Sequence, residues 1–497
     1  MVAPPFAAEV AACRAAQVLW SRLSPRERLT PVRKLRHLLV DRSDDLFEAV
    51  GADIGRPPVE ILGAELLPTT AALRFLERDS ARLLKPRTIS GRLRPTWLLG
   101  CRDQVCRRPW GVVGIIGTWN YPIFLNTVQI AQALVAGNGV VWKPSERAVR
   151  TADLLHHLFL EAGFSAALFA KLPATRQAGP EVAEADLDHV VFTGSNGVGR
   201  LLAARLGERL IPSTLELSGC DAMFVLADAD VELAARAAWF GVVLNRGQTC
   251  IAVRRIFVHR SRLAAFTEVL KKCAGGAKPR TLVTCGQVEQ AERLIQDAIS
   301  RGGEPISVPH GSAAVSGLDF PPTLITLPST DAAICREASF APISAIIPFD
   351  TLEEAITMAS RSPFGLAASI YTADTLQARE IAARLAVGMV TINDVLAPTA
   401  HPATPFGGRG ASGWGVTQGA EGLLAMTVPQ TVTLRKGRFR PHVDEEISPD
   451  PATVPILRGL LRATHARGVR EWLGGVGQLI GGLRNRKRSK LDPPDSA

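Results

Sequence analysis

A chain of 497 residues, 46% hydrophobic and 21% charged, has the composition of an ordinary globular protein. At ~150 residues per domain it holds about three folding units and buries a large core without disulfide staples. Its 43 Gly and 34 Pro are spread along the sequence, which excludes collagen-like, coiled-coil and wholly disordered readings. The net charge of +10 is uneven: residues 435–497 carry 13 Lys and Arg against 7 Asp and Glu, so the body is near neutral and the tail basic. That argues against a body that binds nucleic acid.

Taken in chain order, the first 85 residues read as helices, with Leu35, Leu38, Leu39 and Leu46, then Leu73, Leu76, Leu83 and Leu84, at helical spacing. Met1–Cys13 has no Lys or Arg ahead of its apolar residues, so it is not read as a secretory signal. Pro86–Pro109 suits an extended arm or hairpin. The uncharged stretch Pro109–Trp142 is interrupted by Asn120, Asn126, Gln129, Gln132 and Asn138, and reads as strand, loop, helix and strand rather than a membrane span. Strands are expected at 111–116, 140–142, 190–192 and 214–217, with helices at 123–136, 151–162 and near 198–209. A second series has strands at 223–226, 255–258, 345–348, 366–371 and 388–392, and another at 428–434. Short buried strands alternating with helices predict an α/β fold with parallel, doubly wound sheets.

Eight cysteines form no C-x-x-C and no paired zinc pattern, so free thiols in a reducing compartment and no metal are expected. Cys250 stands apart. In Asn245-Arg-Gly-Gln-Thr-Cys250 it follows a Gly and two polar residues, in a loop before a strand. A loop exposes a thiol to a cleft and aims backbone N–H groups at what it attacks. Glu216, flanked by Leu at a strand end, is a carboxylate in apolar surroundings, whose raised pKa suits a general base. Asn120, directly after an apolar strand, can donate to an oxyanion. Phe192-Thr-Gly-Ser-Asn-Gly-Val-Gly199 lies between strand and helix, where backbone N–H groups can face an anion.

In order along the chain, Trp119-Asn120, Lys143-Pro-Ser-Glu146, Thr193-Gly-Ser195, Glu216-Leu-Ser-Gly219, Gly247-Gln-Thr-Cys250 and Pro405-Phe-Gly-Gly408 resemble the aldehyde dehydrogenase superfamily over about residues 10–434. The Gly117-Thr-Trp-Asn-Tyr-Pro122 wording, the short N-terminus and the 34 residues from Glu216 to Cys250 look most like its class 3 (fatty and aromatic aldehyde) branch. The resemblance implies an aldehyde dehydrogenase-like α/β fold: a Rossmann-like NAD(P)-binding domain at 1–217, carrying an oligomerisation arm at 87–109, and a catalytic domain at 218–427. A strand at 428–436 would pair with the arm, and 437–497 would be a basic tail.

By the same resemblance, Cys250 is the nucleophile that forms a thiohemiacetal and then a thioester. Asn120 and the Cys250 N–H hold the oxyanion, and Glu216 activates the hydrolytic water. Trp119, Lys143, Glu146, Gly194, Ser195 and Gly199 belong to the cofactor site, with Lys143 and Glu146 on the adenosine ribose and the last three near the pyrophosphate. The cofactor is NAD, favoured by Glu146, with NADP as the alternative. The implied partners are a small-molecule aldehyde and a second copy of the chain, in the cytoplasm, with no nucleic acid. Two departures stand out. Glu216-Leu-Ser-Gly-Cys220 replaces Glu-Leu-Gly-Gly-Lys, and Glu337-Ala-Ser-Phe-Ala-Pro342 puts Ala338 where the family has the nicotinamide-ribose carboxylate. The competing readings are a nucleotide- or partner-binding pseudoenzyme of the same fold and a CoA-acylating enzyme, the latter disfavoured by Glu216.

The tail beyond 436 has no counterpart in the short family members. Within Val469–Leu483, Trp472, Leu473, Val476, Leu479, Ile480 and Leu483 fall at helical spacing, ahead of Arg484, Arg486, Lys487, Arg488 and Lys490. Such a segment either docks on its own or a partner subunit or lies as an interfacial helix on an anionic membrane. Its five Gly weaken the helix by ~1 kcal/mol each relative to Ala.

Overall fold

The computed structural model describes residues 4–95, 98, 100–306, 317–437, 443, 451 and 453–489. The chain divides into two units, residues 1–86 with 106–430 and residues 87–105 with 431–497.

The larger unit begins with helices α1 (Ala7–Trp20), α2 (Pro25–Asp41), α3 (Ser43–Ile54) and α4 (Leu67–Leu83). A capping box starts α2: Ser24 Oγ accepts from the Glu27 amide while the Glu27 carboxylate accepts from Ser24 N–H. Leu35, Leu39, Leu46, Leu73 and Leu76 are buried, as their spacing predicts. Ahead of α4, Pro58–Ile61 forms one α-turn and Leu62–Leu66 a π-turn that runs straight into the helix. No hydrophobic period announces that turn.

Strand β1 (Cys101–Pro109) lies between Arg87–Thr88 and Thr427–Arg435 in a three-stranded sheet. Next come β2 (Val112–Ile116), α5 (Phe124–Ala136), β3 (Gly139–Lys143), α6 (Val149–Ala162), β4 (Phe169–Lys171), β5 (His189–Gly194), α7 (Asn196–Glu208) and β6 (Ser213–Leu217). Every residue of β2 and β3 is buried, and so is nearly all of α5. The strands and helix of the long uncharged stretch are therefore core elements of the larger unit. The sheet order is Gly413–Trp414, β6, β5, β2, β3, β4. Succession runs one way from β2 to β4 and then returns to β5 on the other side of β2. That reversal opens a crevice at the carboxyl ends of β2 and β5.

A second parallel sheet follows with β7 (Asp221–Val225), α8 (Val231–Val243), β8 (Val253–His259), α9 (Cys285–Ser300), β9 (Thr323–Thr326), β10 (Ile343–Phe349), β11 (Ala367–Tyr371) and β12 (Met389–Ile392). Its order is Glu304–Pro305, β9, β10, β8, β7, β11, β12, with the outermost pair, Glu304–Pro305 and β9, antiparallel. Gly413 pairs antiparallel with Glu216 at φ 97°, and a Cβ there would sit 2.0 Å from the Leu215 carbonyl oxygen. Glycine is required for that edge to close on β6.

In the smaller unit the tail forms a helical hairpin of α10 (Thr453–His465) and α11 (Val469–Ser489). The segment expected at Val469–Leu483 is helical and runs on to Ser489, whereas α10 carried no expectation; Lys490 lies outside the described residues. Three glycines explain the pairing. A Cβ on Gly459 would lie 2.3 Å from Leu479 N, one on Gly475 2.5 Å from Ala463 N, and one on Gly482 2.6 Å from Ile456 Cγ1. Residues that weaken an isolated helix here let two helix backbones approach closely, and tertiary packing outweighs intrinsic propensity.

Candidate active site

Two loops from different sheets make the site. The first, Gly117–Pro122, leaves β2. Asn126 on α5 pins it: the Asn126 side chain accepts from the Thr118 amide at 3.2 Å and donates to the Thr118 and Pro122 carbonyls at 3.2 and 2.7 Å. Asn120 is buried, with its Oδ1 accepting from Thr118 Oγ1 at 2.7 Å and its Nδ2 donating to the Gln248 carbonyl at 3.0 Å. One N–H of that amide remains for another acceptor.

The second loop precedes β8 and is held in an unusual backbone. Asn245, Arg246 and Gly247 all have left-handed φ, at 48°, 60° and 72°. Gly247 is obligatory, since a Cβ would lie 2.4 Å from the Ala341 carbonyl. The other two are strained, and such strain persists only when surroundings fix it. Here Asn245 Nδ2 donates to the carbonyls of Asn120 and Gln248, each at 3.0 Å, and Arg246 Nη1 to Ile54 O at 2.7 Å. Buried Arg254 donates to Ala341 O and Gly247 O. Gln248 therefore ties the two loops together, and Cys250 emerges two residues later, half-buried against the cleft.

Electrostatics around the thiol are demanding. Burial, then the Asp221 and Glu216 carboxylates, push the Cys250 thiol up to about 12, opposed by the backbone N–H groups of Ile251 and Cys250. Glu216, at the end of β6, is buried and pushed up to about 8 by desolvation, with Thr417 Oγ1 donating to Oε1 at 3.5 Å and Oε2 without a partner. The apolar flanks read from sequence produce this shift. Asp221 at the start of β7, which carried no expectation, is likewise raised to about 8 by burial.

Cys250, Asn120 and Glu216 face one cleft of about 1310 Å³, also lined by Trp119, Lys143, Glu146, Gly194, Ser195 and Ala338. Lys143 and Glu146 form an ion pair at 3.4 Å, and burial lowers the Lys143 pKa. Ser195 caps α7 by accepting from the Val198 amide at 3.5 Å, and a Cβ at Gly197 would meet nothing within 4 Å. The N-terminus of α7 is thus open at the crevice, where N–H groups and the helix dipole favour an anion. Gly199 is not in the cleft wall. It is buried one turn on, where a Cβ would strike Leu217 Cδ2 at 2.5 Å, so it lets α7 sit down on β6. The donor set fits the pyrophosphate and adenosine ribose of a dinucleotide.

At the other end of the cleft the fit is incomplete. Ala338 offers no carboxylate, and its carbonyl accepts from Gln290 Nε2 at 3.1 Å. Glu337, one residue earlier, is engaged by Arg293. All eight cysteines are free thiols, and among the described residues no group of three His, Cys, Asp or Glu could hold a metal. Residues that carried no sequence expectation are Asn245, Gln248, Thr417 and Asp221. The first two lie inside or beside a quoted motif, whereas Thr417 is brought in by the Gly413 edge.

The aldehyde dehydrogenase family model matches residues 5–432. The 4,4′-diapolycopene aldehyde oxidase of a Methylomonas species is 33% identical over 434 residues, covering 86% of this chain and 81% of that one. Among solved structures, a Mycobacterium tuberculosis aldehyde dehydrogenase complexed with NAD+ aligns at TM-score 0.80 and 31% identity, covering 87% of this chain and 90% of that one. An NADP-dependent enzyme of E. coli aligns at TM-score 0.81 and 26% identity, covering 86% and 90%.

Proposed function

The chain belongs to the aldehyde dehydrogenase family, and from that premise we propose that it oxidises an aldehyde to a carboxylic acid with NAD(P)+, through a covalent intermediate on Cys250. The observation that carries this reading is the convergence of Cys250, Asn120 and Glu216 on the cleft that also holds Lys143, Glu146 and the α7 N-terminus.

Cys250 gives up its thiol proton to solvent, and the thiolate attacks the aldehyde carbon and forms a C–S bond. The carbonyl oxygen becomes an oxyanion that accepts from the free N–H of Asn120 Nδ2 and from Cys250 N–H. When bound, NAD(P)+ supplies the acceptor for the hydride leaving that carbon, and a thioester on Cys250 remains. Glu216 in its carboxylate form takes a proton from water as the water attacks the thioester, and the acid departs while the thiolate is restored. Lys143 and Glu146 bind the adenosine ribose, Trp119, Gly194 and Ser195 line the cofactor's path, and Gly199 supports it by packing. Glu146 favours NAD by repelling a 2′-phosphate. Within the family we place the chain nearest the class 3 branch, on the Trp119-Asn120 wording and the 34 residues between Glu216 and Cys250. A burst of NAD(P)H from stoichiometric enzyme and a medium-chain aldehyde tests the reading. Binding of cofactor with no NAD(P)H from any chain length would instead support the nucleotide-binding pseudoenzyme that Ala338 leaves open.

We also propose a cytoplasmic homodimer assembled through the arm, with the two sheets serving as cofactor domain (1–217) and catalytic domain (218–427). The α10–α11 hairpin is proposed as a peripheral contact for an anionic membrane. Val454, Leu457 and Leu461 form an exposed stripe on α10, as do Val469, Trp472, Leu473, Ile480 and Leu483 on α11, and the hairpin sequence has eight Lys and Arg against one Glu. No helix among the described residues is long and apolar enough to cross a membrane. The full chain should float with phosphatidylserine vesicles at low salt, and a chain ending at Lys436 should not. Equal behaviour of the two removes the membrane role.

A further inference from the structure

A second network lies behind the reacting groups, formed by a segment in which the sequence shows no motif. Arg56 and Glu65 have no side-chain exposure and pair with each other, Arg56 Nη1 donating to Glu65 Oε1. The partners of both then converge on the Asn120 loop. Arg56 Nη2 donates to the backbone carbonyl of Asn120. Glu65 Oε2 accepts from Ile123 N–H at 2.6 Å and from Phe124 N–H at 3.3 Å, capping the first turn of α5. The Arg56 guanidinium also sits 4.6 Å above the Tyr121 ring, whose hydroxyl pairs with Thr249 Oγ1 at 2.8 Å, one residue from Cys250. Asn120 O, Tyr121, Ile123 and Phe124 are thus gripped by one ion pair.

The π-turn accounts for the geometry. Leu62–Leu66 is wider than an α-turn, and such turns recur at functional sites. It sets Glu65 inward at the base of α4, and Thr69 Oγ1 donates to the Glu65 carbonyl at 2.6 Å. A buried pair of this kind is weak support for stability, since desolvation offsets much of the attraction. Its partners here are the backbone of the oxyanion loop rather than general core.

Resting on the aldehyde oxidation proposed above, we propose that Arg56 and Glu65 are positioning residues that fix Asn120 for oxyanion stabilisation. They act through the Asn120 backbone and touch neither substrate nor cofactor. Lys at position 56 keeps the charge but, as a point donor, cannot hold Glu65 and Asn120 O in the planar fork that Arg provides. Gln at position 65 keeps the shape but accepts through one oxygen where the carboxylate uses two.

The test is stopped-flow NAD(P)H formation in the first turnover, on the full chain, with cofactor affinity and Tm measured alongside. Arg56→Lys and Glu65→Gln should each slow first-turnover hydride transfer at least tenfold, while cofactor Kd stays within twofold. In an Asn120→Ala background, Arg56→Lys should cost less than twofold more, because the side-chain N–H that Arg56 positions is already gone although the carbonyl it holds remains. Normal first-turnover rates in either folded variant, or a tenfold loss that persists in the Asn120→Ala background, would overturn the assignment. Should Arg56→Lys not fold, Glu65→Gln carries the same comparison without a change in shape. A wild-type chain that makes no NAD(P)H from any aldehyde refutes the reaction itself, a different result from an active wild type with unaffected variants.

Discussion

Glu216→Gln separates the two halves of the proposed reaction, and the structure supplies the magnitude. Burial raises the Glu216 carboxyl from 4.5 to about 8. A group titrating there is about 9% ionised at pH 7 and about 90% at pH 9, so thioester hydrolysis by its carboxylate should rise ~10-fold across that window. General-base catalysis contributes ~10²–10⁴-fold, so steady-state turnover in Glu216→Gln should fall by that order and lose its rise near pH 8. The first turnover does not need the base. Rapid mixing of the variant with aldehyde and cofactor should give a burst near one NAD(P)H per site, followed by slow release.

The same shift has a stability sign. Between about pH 4.5 and 8 the folded state holds a proton at Glu216 that the unfolded state releases, so stability falls as pH rises through that range. Glu216→Gln should therefore gain Tm relative to wild type at pH 9 and not at pH 4. A variant with no burst and a slowed first turnover would refute the deacylation role and move Glu216 to thiol activation. A wild-type deacylation rate that is flat from pH 6 to 9 would refute the environment assigned to its carboxyl.

Three further outcomes follow from the same geometry. Cys250→Ala should abolish turnover with cofactor affinity intact, whereas replacing Cys220, buried against Ile334 O, or exposed Cys285 should change kinetics little; near-normal turnover in Cys250→Ala would end the mechanism. Asp221→Asn removes the largest charge acting on the Cys250 thiol. Each unit by which the thiol pKa falls gives ~10-fold more thiolate at pH 8, so iodoacetamide should alkylate Cys250 faster, and an unchanged rate contradicts the coupling. Ala338→Glu would supply two hydrogen bonds to a charged acceptor, at ~1.5–3 kcal/mol each, so NAD affinity should rise at least tenfold by fluorescence titration; lower activity at unchanged affinity would mean that the backbone beside Gln290 presents position 338 differently.

Much of the α/β architecture was legible because its signals are local. Short apolar runs ending in Gly or a polar residue gave β2, β3, β5 and β6 to within two residues, and the uncharged stretch around Asn120 proved to be a buried strand–helix–strand segment. Two leucines flanking Glu216 were enough to foresee a carboxyl held out of water, because desolvation depends on immediate neighbours. What stayed hidden depends on contacts between segments far apart in sequence. Arg56 and Glu65 look like surface charges in a helical region until a π-turn and the Asn120 loop enclose them. Gly199 belongs to a phosphate-loop pattern by spacing, yet Leu217 on a separate strand makes it a packing residue. Gly475 and Gly482 read as helix-weakening until α10 lies against them. A sequence carries hydrophobic period and local polarity, whereas burial of a charge and the approach of two backbones are set by whichever distant segment arrives, and that is fixed when the chain folds.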